Sequence, residues 1–182
     1  MCPHRMEARL LRNREIYTDF VVEHMLTARR SVWIATANLK DMHVEHRRRY
    51  RSVLAFFRKL ADREVDVRIL HAAVPSEPYL HSLKECGLVG REHFTMRRCP
   101  RVHLKCVLVD DGWVFLGSAN LTGAGMGVKS ADRRNFEIGI LTRDDVLRAG
   151  LTETFLEVWE GRACETCGRK RHCPVPLEEP DF

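Results

Sequence analysis

Four polar side chains that could bind and attack a phosphate are closely spaced in residues 101–120, RVHLKCVLVDDGWVFLGSAN. Successive side chains of an extended chain alternate between its two faces, so His103 and Lys105 are expected on the same side. An imidazole beside an ammonium in an apolar stretch is costly unless an anion or a water-filled cleft meets them. Ser118 and Asn120 add a hydroxyl and an amide donor after the next apolar run. The spacing therefore predicts a phosphate site in which a neutral imidazole can also act as a nucleophile near pH 7.

The same stretch has the pattern H-x-K-x4-D-x6-G-S-x-N. It resembles the HKD signature of the phospholipase D superfamily, whose members cleave or exchange phosphodiester bonds in lipids and nucleic acids. The residues that match it are His103, Lys105, Asp110, Gly117, Ser118 and Asn120, and Glu137 matches the acidic residue that commonly follows. The resemblance implies an α/β fold, in which helices cover both faces of a mixed β-sheet as an α/β/α sandwich.

The resemblance also implies a catalytic role for four of these residues. His103 attacks phosphorus and forms a phosphohistidine intermediate, while Lys105 and Asn120 hold the non-bridging oxygens. Glu137 is the candidate for a carboxylate that fixes the tautomer of His103 and stabilises its imidazolium form. The implied enzyme is a phosphodiesterase with a covalent intermediate.

The remaining matched polar residues are expected to support the site. Asp110, beside the Asp111-Gly112 turn, is expected to fix the local backbone or Lys105, and Ser118 to support the phosphate or Glu137. Fixed donors aimed at the phosphoryl oxygens supply the charge stabilisation that a metal provides in other enzymes, so no catalytic metal is expected.

A single copy of the motif has a consequence for assembly. The family mechanism uses a second histidine, from another HKD motif, to protonate the leaving oxygen, and the 182 residues contain no second H-x-K. The resemblance therefore implies a homodimer in which His103 of an identical chain supplies this acid.

Composition and charge favour a nucleic acid substrate over a lipid. A formal net charge of +5 suits a polyanion, and no apolar run reaches the length of a membrane helix. An endonuclease on DNA or RNA is the preferred interpretation. The alternatives are a phospholipase acting on an anionic lipid such as cardiolipin, and a non-catalytic nucleic-acid-binding module that keeps the pocket. No secretory signal is recognised in the N-terminal sequence, so cytoplasmic localisation is expected.

Basic residues outside the motif have two interpretations. Arginines 47–49, 51, 97, 98, 101, 133 and 134 either line a groove that follows a phosphate backbone or form solvated surfaces. The glycine-rich and basic segment 121–134 follows Asn120 directly and is expected at the rim of the site, where it contacts substrate or serves as a flexible linker.

Apolar periodicity predicts the elements that position these residues. Helices are expected at 12–30, 46–63, 75–86 and 143–159, and strands at 31–37, 65–72, 92–98, 102–110, 113–119 and 135–142. Asp111-Gly112 predicts a hairpin turn between two of the strands. We expect one catalytic domain over residues 1–161, followed by a cysteine-rich tail at 162–182.

The tail contains the spacing C-x2-C-x5-C, formed by Cys164, Cys167 and Cys173, with His172 beside the last cysteine. This spacing predicts a structural zinc knuckle with His172 as fourth ligand. Cys2, His4 or a partner chain could instead supply that ligand, and an iron–sulfur cluster or free thiols are the alternatives to zinc. Cys2, Cys86, Cys99 and Cys106 share no spacing with this set and are interpreted as ordinary free thiols.

Overall fold

A seven-stranded mixed sheet forms the centre of the computed structural model, which describes residues 4–46 and 49–177. In chain order the strands are β1 (Ala8–Arg12), β2 (Ser31–Thr36), β3 (His43–His46), β4 (Arg49–Ser52), β5 (Asp66–His71), β6 (Phe94–Arg98), β7 (Cys106–Val109), β8 (Trp113–Gly117) and β9 (Ile138–Thr142). The spatial order of the main sheet is β1-β9-β8-β7-β2-β5-β6, and β3 and β4 pair separately. Strands β2, β5 and β6 are parallel to one another, whereas the other pairs of the main sheet are antiparallel.

Helices cover both faces of this sheet. The α-helices are α1 (Val53–Ala61), α2 (Glu77–Glu85) and α3 (Asp145–Trp159), and a π-helical segment, Ile16–Val22, precedes β2. Side chains alternate along β2, so Val32 and Ile34 join the core with α1, α2 and the π-helical segment. Ala35 faces the other way and packs with Phe155 of α3. The predicted α/β/α sandwich with a mixed sheet is therefore confirmed.

The predicted helix at 12–30 begins two residues later than expected and is interrupted after Val22. Residues Ala8–Arg12 form an edge strand that pairs with β9, with Leu11 fully buried. Asn13 then adopts a φ of 49°, which ends the strand. Helical backbone begins at Arg14 and continues as the π-helical segment Ile16–Val22, so pairing with β9 removes only the first residues of the predicted helix.

The predicted helix at 46–63 begins later than expected. The Ser52 hydroxyl accepts a hydrogen bond from the Leu54 backbone N–H at 3.1 Å, and this cap fixes the start of α1 at Val53. The described residues before it belong to the β3–β4 hairpin. The predicted strands 31–37 and 65–72, the edge strand 92–98 and the short helix ending before Gly87 correspond to observed elements.

Among the residues that the structure describes, no helix is both long and apolar enough to cross a membrane.

Candidate active site

Strand pairing brings most of the motif to one edge of the sheet. Ala35 near the end of β2 pairs with Cys106 at the start of β7, and Cys106 pairs with Leu116 near the end of β8. Gly117, the last residue of β8, pairs with Gly139 near the start of β9. Residues just before β7 and β9 and just after β2 and β8 therefore meet at the same edge.

His103 and Lys105 lie just before β7 at this edge. The Lys105 ammonium donates to the His103 carbonyl oxygen at 2.9 Å and lies 3.4 Å from its ring Nε2. The His103 side chain is exposed and Lys105 is half-buried, so an anion can reach both. The predicted strand 102–110 begins only at Cys106, because Pro100 and a turn between the Val102 N–H and the Cys99 carbonyl precede the pair.

Glu137 orients the hydroxyl of Ser118. The Ser118 hydroxyl donates to one carboxylate oxygen of Glu137, and the Asn135 amide donates to the other at 3.0 Å. Within the described ranges no hydrogen bond joins Glu137 to His103, so its role as the partner of that imidazole stays a prediction. The Asn13 side-chain oxygen accepts from the Glu137 backbone N–H at 2.9 Å and fixes this segment.

Gly117 permits the close backbone approach that the site needs. A Cβ at this position would lie 2.5 Å from the carbonyl oxygen of Ile138 and 2.7 Å from the Cα of Gly139. The Ser118 N–H donates to the same Ile138 oxygen at 3.0 Å. A larger residue at 117 would push β9 away from β8 and move Glu137 away from Ser118.

Asn120 has a fixed side-chain orientation. Its amide oxygen accepts hydrogen bonds from the backbone N–H groups of Ala37 and Asn38, both at 3.1 Å, and from the Thr36 hydroxyl at 3.3 Å. Because backbone N–H groups only donate, the oxygen must face them and the NH2 group is directed to the other side. Residue type and spacing predict Asn120 as a donor but do not reveal these anchors, which come from the end of β2.

Asp110 lies at the opposite end of β7 from His103. Its carboxylate accepts hydrogen bonds from the backbone N–H groups of Arg29, Arg30 and Ser31, at 3.0, 2.7 and 3.1 Å. These bonds fix the start of β2. Asp110 therefore fixes the local backbone, which is one of its two expected roles, and it does so at the other end of β7 from Lys105.

Segment 121–134 is partly packed and partly exposed. Met126 is buried, and Gly127, with a φ of 73°, lies where a Cβ would be 2.2 Å from the Asn13 carbonyl oxygen. The Arg14 guanidinium donates to the Val128 carbonyl at 3.0 Å. Residues 129–133 are exposed, so only this second part can contact a substrate freely.

Several of the arginines considered for a nucleic acid groove have structural partners. The Arg97 guanidinium lies 4.9 Å from the ring centre of Trp159, and Arg98 donates to the Ala72 carbonyl at 3.0 Å. Arg49 and Arg51 are exposed on β4, whereas residues 47 and 48 lie outside the described residues.

The tail residues predicted to bind metal lie near one another. A common cavity beside the end of β6 is lined by Cys164, Cys167, Cys173 and His172. Among the described residues, however, no three His, Cys, Asp or Glu side chains are close enough together to hold a metal ion.

The alternative fourth ligands are not found at this cavity. His4 contacts Asp144, at 2.5 Å, at the start of α3, whereas the tail follows the end of α3. At 1.5 Å per residue the helix separates the two by about 22 Å, so His4 of the same chain cannot contribute. Cys2 lies outside the described residues.

The chain is similar to known proteins in sequence and in fold. A family model described as "Cardiolipin synthase, PLD-like domain" matches residues 21–159, well over half of the chain. No curated protein matches in sequence. NucT from Helicobacter pylori has a TM-score of 0.63 at 18% identity, covering 86% of this chain and 97% of that one. The phospholipase D family member Nuc from Salmonella typhimurium has a TM-score of 0.65 at 14% identity, covering 98% of this chain and 100% of that one.

A larger protein shares the same fold. Phosphatidylserine synthase from Haemophilus influenzae has a TM-score of 0.54 at 16% identity, covering 86% of this chain and 39% of that one. At such identities these likenesses show the fold alone, whereas the family match spans most of the chain and includes the H-x-K motif. The chain therefore belongs to the phospholipase D-like family of phosphodiesterases.

Proposed function

We propose that the chain is an endonuclease that cleaves phosphodiester bonds of DNA or RNA through a phosphohistidine at His103. The observation that supports this most directly is the exposed His103 imidazole with the Lys105 ammonium 3.4 Å from its Nε2. A phosphoryl group that approaches this nitrogen meets the ammonium at once. The fixed amide of Asn120 at the same sheet edge supplies a second donor.

In the proposed reaction, the neutral Nε2 of His103 attacks phosphorus as the bond from phosphorus to the leaving oxygen breaks. Lys105 and Asn120 hold the non-bridging oxygens, whose charge they stabilise without a metal. A second histidine, in its imidazolium form, protonates the leaving oxygen. Once neutral, the same ring takes a proton from a water molecule that attacks the phosphohistidine, which breaks the phosphorus–nitrogen bond and regenerates His103.

We assign the second imidazole to His103 of an identical chain, since this chain has one H-x-K motif. An exposed apolar surface lies beside the site and suits such an interface: the side chain of Phe136 is 96% exposed and that of Ile138 is 50% exposed. These residues flank Glu137, so a two-fold contact here would bring two motifs together.

The net charge of the chain and the lengths of the similar proteins favour nucleic acid over lipid as the substrate. The net charge of +5 favours a polyanionic substrate. NucT and Nuc match almost over their whole lengths, whereas the lipid enzyme matches over 39% of its chain. Hydrolysis of an anionic phospholipid is the second candidate, because the description of the matching family names cardiolipin synthase.

A substrate panel tests the proposal. Purified protein is incubated without added divalent metal with single-stranded DNA, duplex DNA, RNA and vesicles that contain cardiolipin. We expect cleavage of nucleic acid that is lost in His103→Asn and kept in His81→Asn, since His81 is an exposed histidine paired with Glu85 on α2. Turnover of vesicles alone would establish the lipid enzyme instead. Nucleic acid binding without cleavage, equal in His103→Asn, would establish a non-catalytic binding module, and a requirement for added Mg²⁺ would contradict the metal-free mechanism.

A further inference from the structure

Four cysteines from two distant parts of the sequence line one cavity of about 300 Å³. They are Cys99, which follows β6 directly, and Cys164, Cys167 and Cys173 of the tail. We propose that these four thiols bind one structural Zn²⁺, with Cys99 as the fourth ligand in place of His172. This replaces our interpretation of Cys99 as an ordinary free thiol.

Backbone hydrogen bonds fix Cys99 and tie residue 177 of the tail to the same strand. The Cys99 N–H donates to the carbonyl of His71 at the end of β5, at 2.9 Å. The Leu177 N–H donates to the Arg98 carbonyl at 3.2 Å and ties the tail to the end of β6. Cys99 therefore faces the tail from a rigid sheet edge, which suits a fixed ligand that the tail closes upon.

The surroundings of Cys167 resemble those of a metal-bound thiolate. Cys164 and Cys167 form a C-x2-C pair followed by Gly168, and the Cys167 sulfur lies beside Arg101 at the cavity. The Arg101 guanidinium donates to the same sulfur at 3.3 Å. A donor beside a sulfur orients it toward a bound metal ion.

The charge of the cavity fits four thiolates. A Zn²⁺ ion with four thiolates carries a net charge of about −2. Four cationic side chains line the same cavity, namely Arg98, Arg101, Arg169 and Lys170. This excess of positive charge would oppose the binding of a bare cation, but it stabilises the negative charge of a tetrathiolate complex.

Two observations favour Cys99 over His172. His172 and Cys173 are adjacent in sequence, so both reach one ion only through a very tight turn, whereas Cys99 lines the cavity from the end of β6. All four thiols are half-buried, whereas His172 is exposed. Since no three such side chains converge within the described ranges, binding requires the tail to close around the ion.

The proposed metal site lies next to the active site. A second cavity of about 460 Å³ is lined by Cys99, His103, Cys164 and Cys167 together. Zinc at these thiols would clamp the tail onto the loop that carries His103. Its role would be structural, positioning the nucleophile without contact with substrate.

The test uses the full chain, purified under reducing conditions and analysed for bound metal. We expect about one zinc per chain, and X-ray absorption at the zinc edge should show four sulfur ligands at about 2.3 Å. Cys99→Ser should lose zinc or retain three sulfur ligands, whereas His172→Ala should keep all four. Cys86→Ser is the matched control, because Cys86 is also half-buried but does not line the cavity.

The spectrum of the unaltered chain keeps the proposal falsifiable even if Cys99→Ser does not fold. Three sulfurs and one nitrogen, with loss of that nitrogen in His172→Ala, would assign the fourth ligand to His172 and overturn the proposal. Iron with visible absorbance, or no metal after reconstitution with Zn²⁺, would also overturn it. None of these readouts depends on nuclease activity, so they test the metal site independently of the proposed function.

Discussion

The Lys105 ammonium lies 3.4 Å from Nε2 of His103 and also donates to the His103 carbonyl oxygen at 2.9 Å. One side chain thus contacts both the backbone and the ring of the proposed nucleophile. When a phosphoryl group binds, the ammonium can exchange the ring contact for a phosphoryl oxygen while its bond to the carbonyl is kept.

Replacement of Lys105 by alanine should impair chemistry more than folding. We expect kcat to fall by about 10²–10³-fold, the usual cost of losing one donor to a developing charge. Lys84→Ala, at an exposed position on α2, is the control and should keep its activity. Single-turnover cleavage and the melting temperature of each variant separate the two effects. A similar decrease in both variants would remove Lys105 from the mechanism.

Replacement of Glu137 by glutamine tests whether its charge acts on His103. The glutamine keeps the shape and can still accept the hydrogen bond from Ser118, but it cannot stabilise an imidazolium. We therefore expect a loss in kcat of roughly 10² or more and a changed pH–rate profile. Ser118→Ala should cost less and leave the profile unchanged. Equal losses in the two variants, with unchanged profiles, would mean that Glu137 acts only through Ser118.

His71 should make the protein less stable in mild acid. Burial lowers the pKa of His71 from 6.5 to about 4. The hydrogen bond from Nδ1 to the Ala73 carbonyl opposes this shift, whereas the nearby positive charge of Arg98 adds to it. Nε2 has no hydrogen-bond partner among the described residues. Between these two pKa values the unfolded chain binds more protons than the folded one, so stability falls as the pH falls below about 6.5. The free energy of unfolding should be about 2 kcal/mol lower at pH 5 than at pH 7 from this group.

Denaturant unfolding at the two pH values measures this effect. In His71→Asn the amide can still donate to Ala73, but the side chain no longer titrates. The difference in the free energy of unfolding between pH 5 and pH 7 should therefore shrink by about 2 kcal/mol, whatever the stability of the variant itself. His81→Asn should keep the full dependence, since His81 is exposed. An unchanged slope in His71→Asn would show that His71 is not the responsible group.

Phe136→Asp should separate the chains of the proposed dimer. The Phe136 side chain is 96% exposed beside Glu137, and a carboxylate there would repel its counterpart across a two-fold axis. Sedimentation should show monomers, and multiple-turnover activity should fall with them. Val146→Asp, at a 62% exposed position on α3, is the matched control. A dimer that persists in Phe136→Asp would place the interface elsewhere.

Local patterns predicted the strands and the motif, because they depend on residue types at fixed offsets. The alternation of side chains in an extended chain placed His103 and Lys105 on one side, where they contact each other even though β7 begins after them. The Asp111-Gly112 turn likewise joins β7 and β8 as predicted.

Contacts between distant segments could not be predicted in this way. The edge strand β1 depends on pairing with β9 across more than a hundred residues, while its own sequence, ARLLR, carries no strand pattern. The anchors of Asn120 at Ala37 and Asn38 exist only because the residues that follow β2 meet the residues that follow β8 at one edge of the sheet. Cys99 was likewise not recognised as a possible ligand, because its spacing to the tail cysteines is not a local motif.

The most direct test of the mechanism counts the histidines needed for one reaction. Unaltered and His103→Asn chains are unfolded together, refolded at varying ratios and assayed for multiple-turnover cleavage. If two copies of His103 act at one site, only dimers of two unaltered chains are fully active, so activity should fall as the square of the unaltered fraction, to about one quarter in an equal mixture. A linear fall to about one half, or full activity from a chain shown to be monomeric, would contradict a shared site and place the acid within one chain.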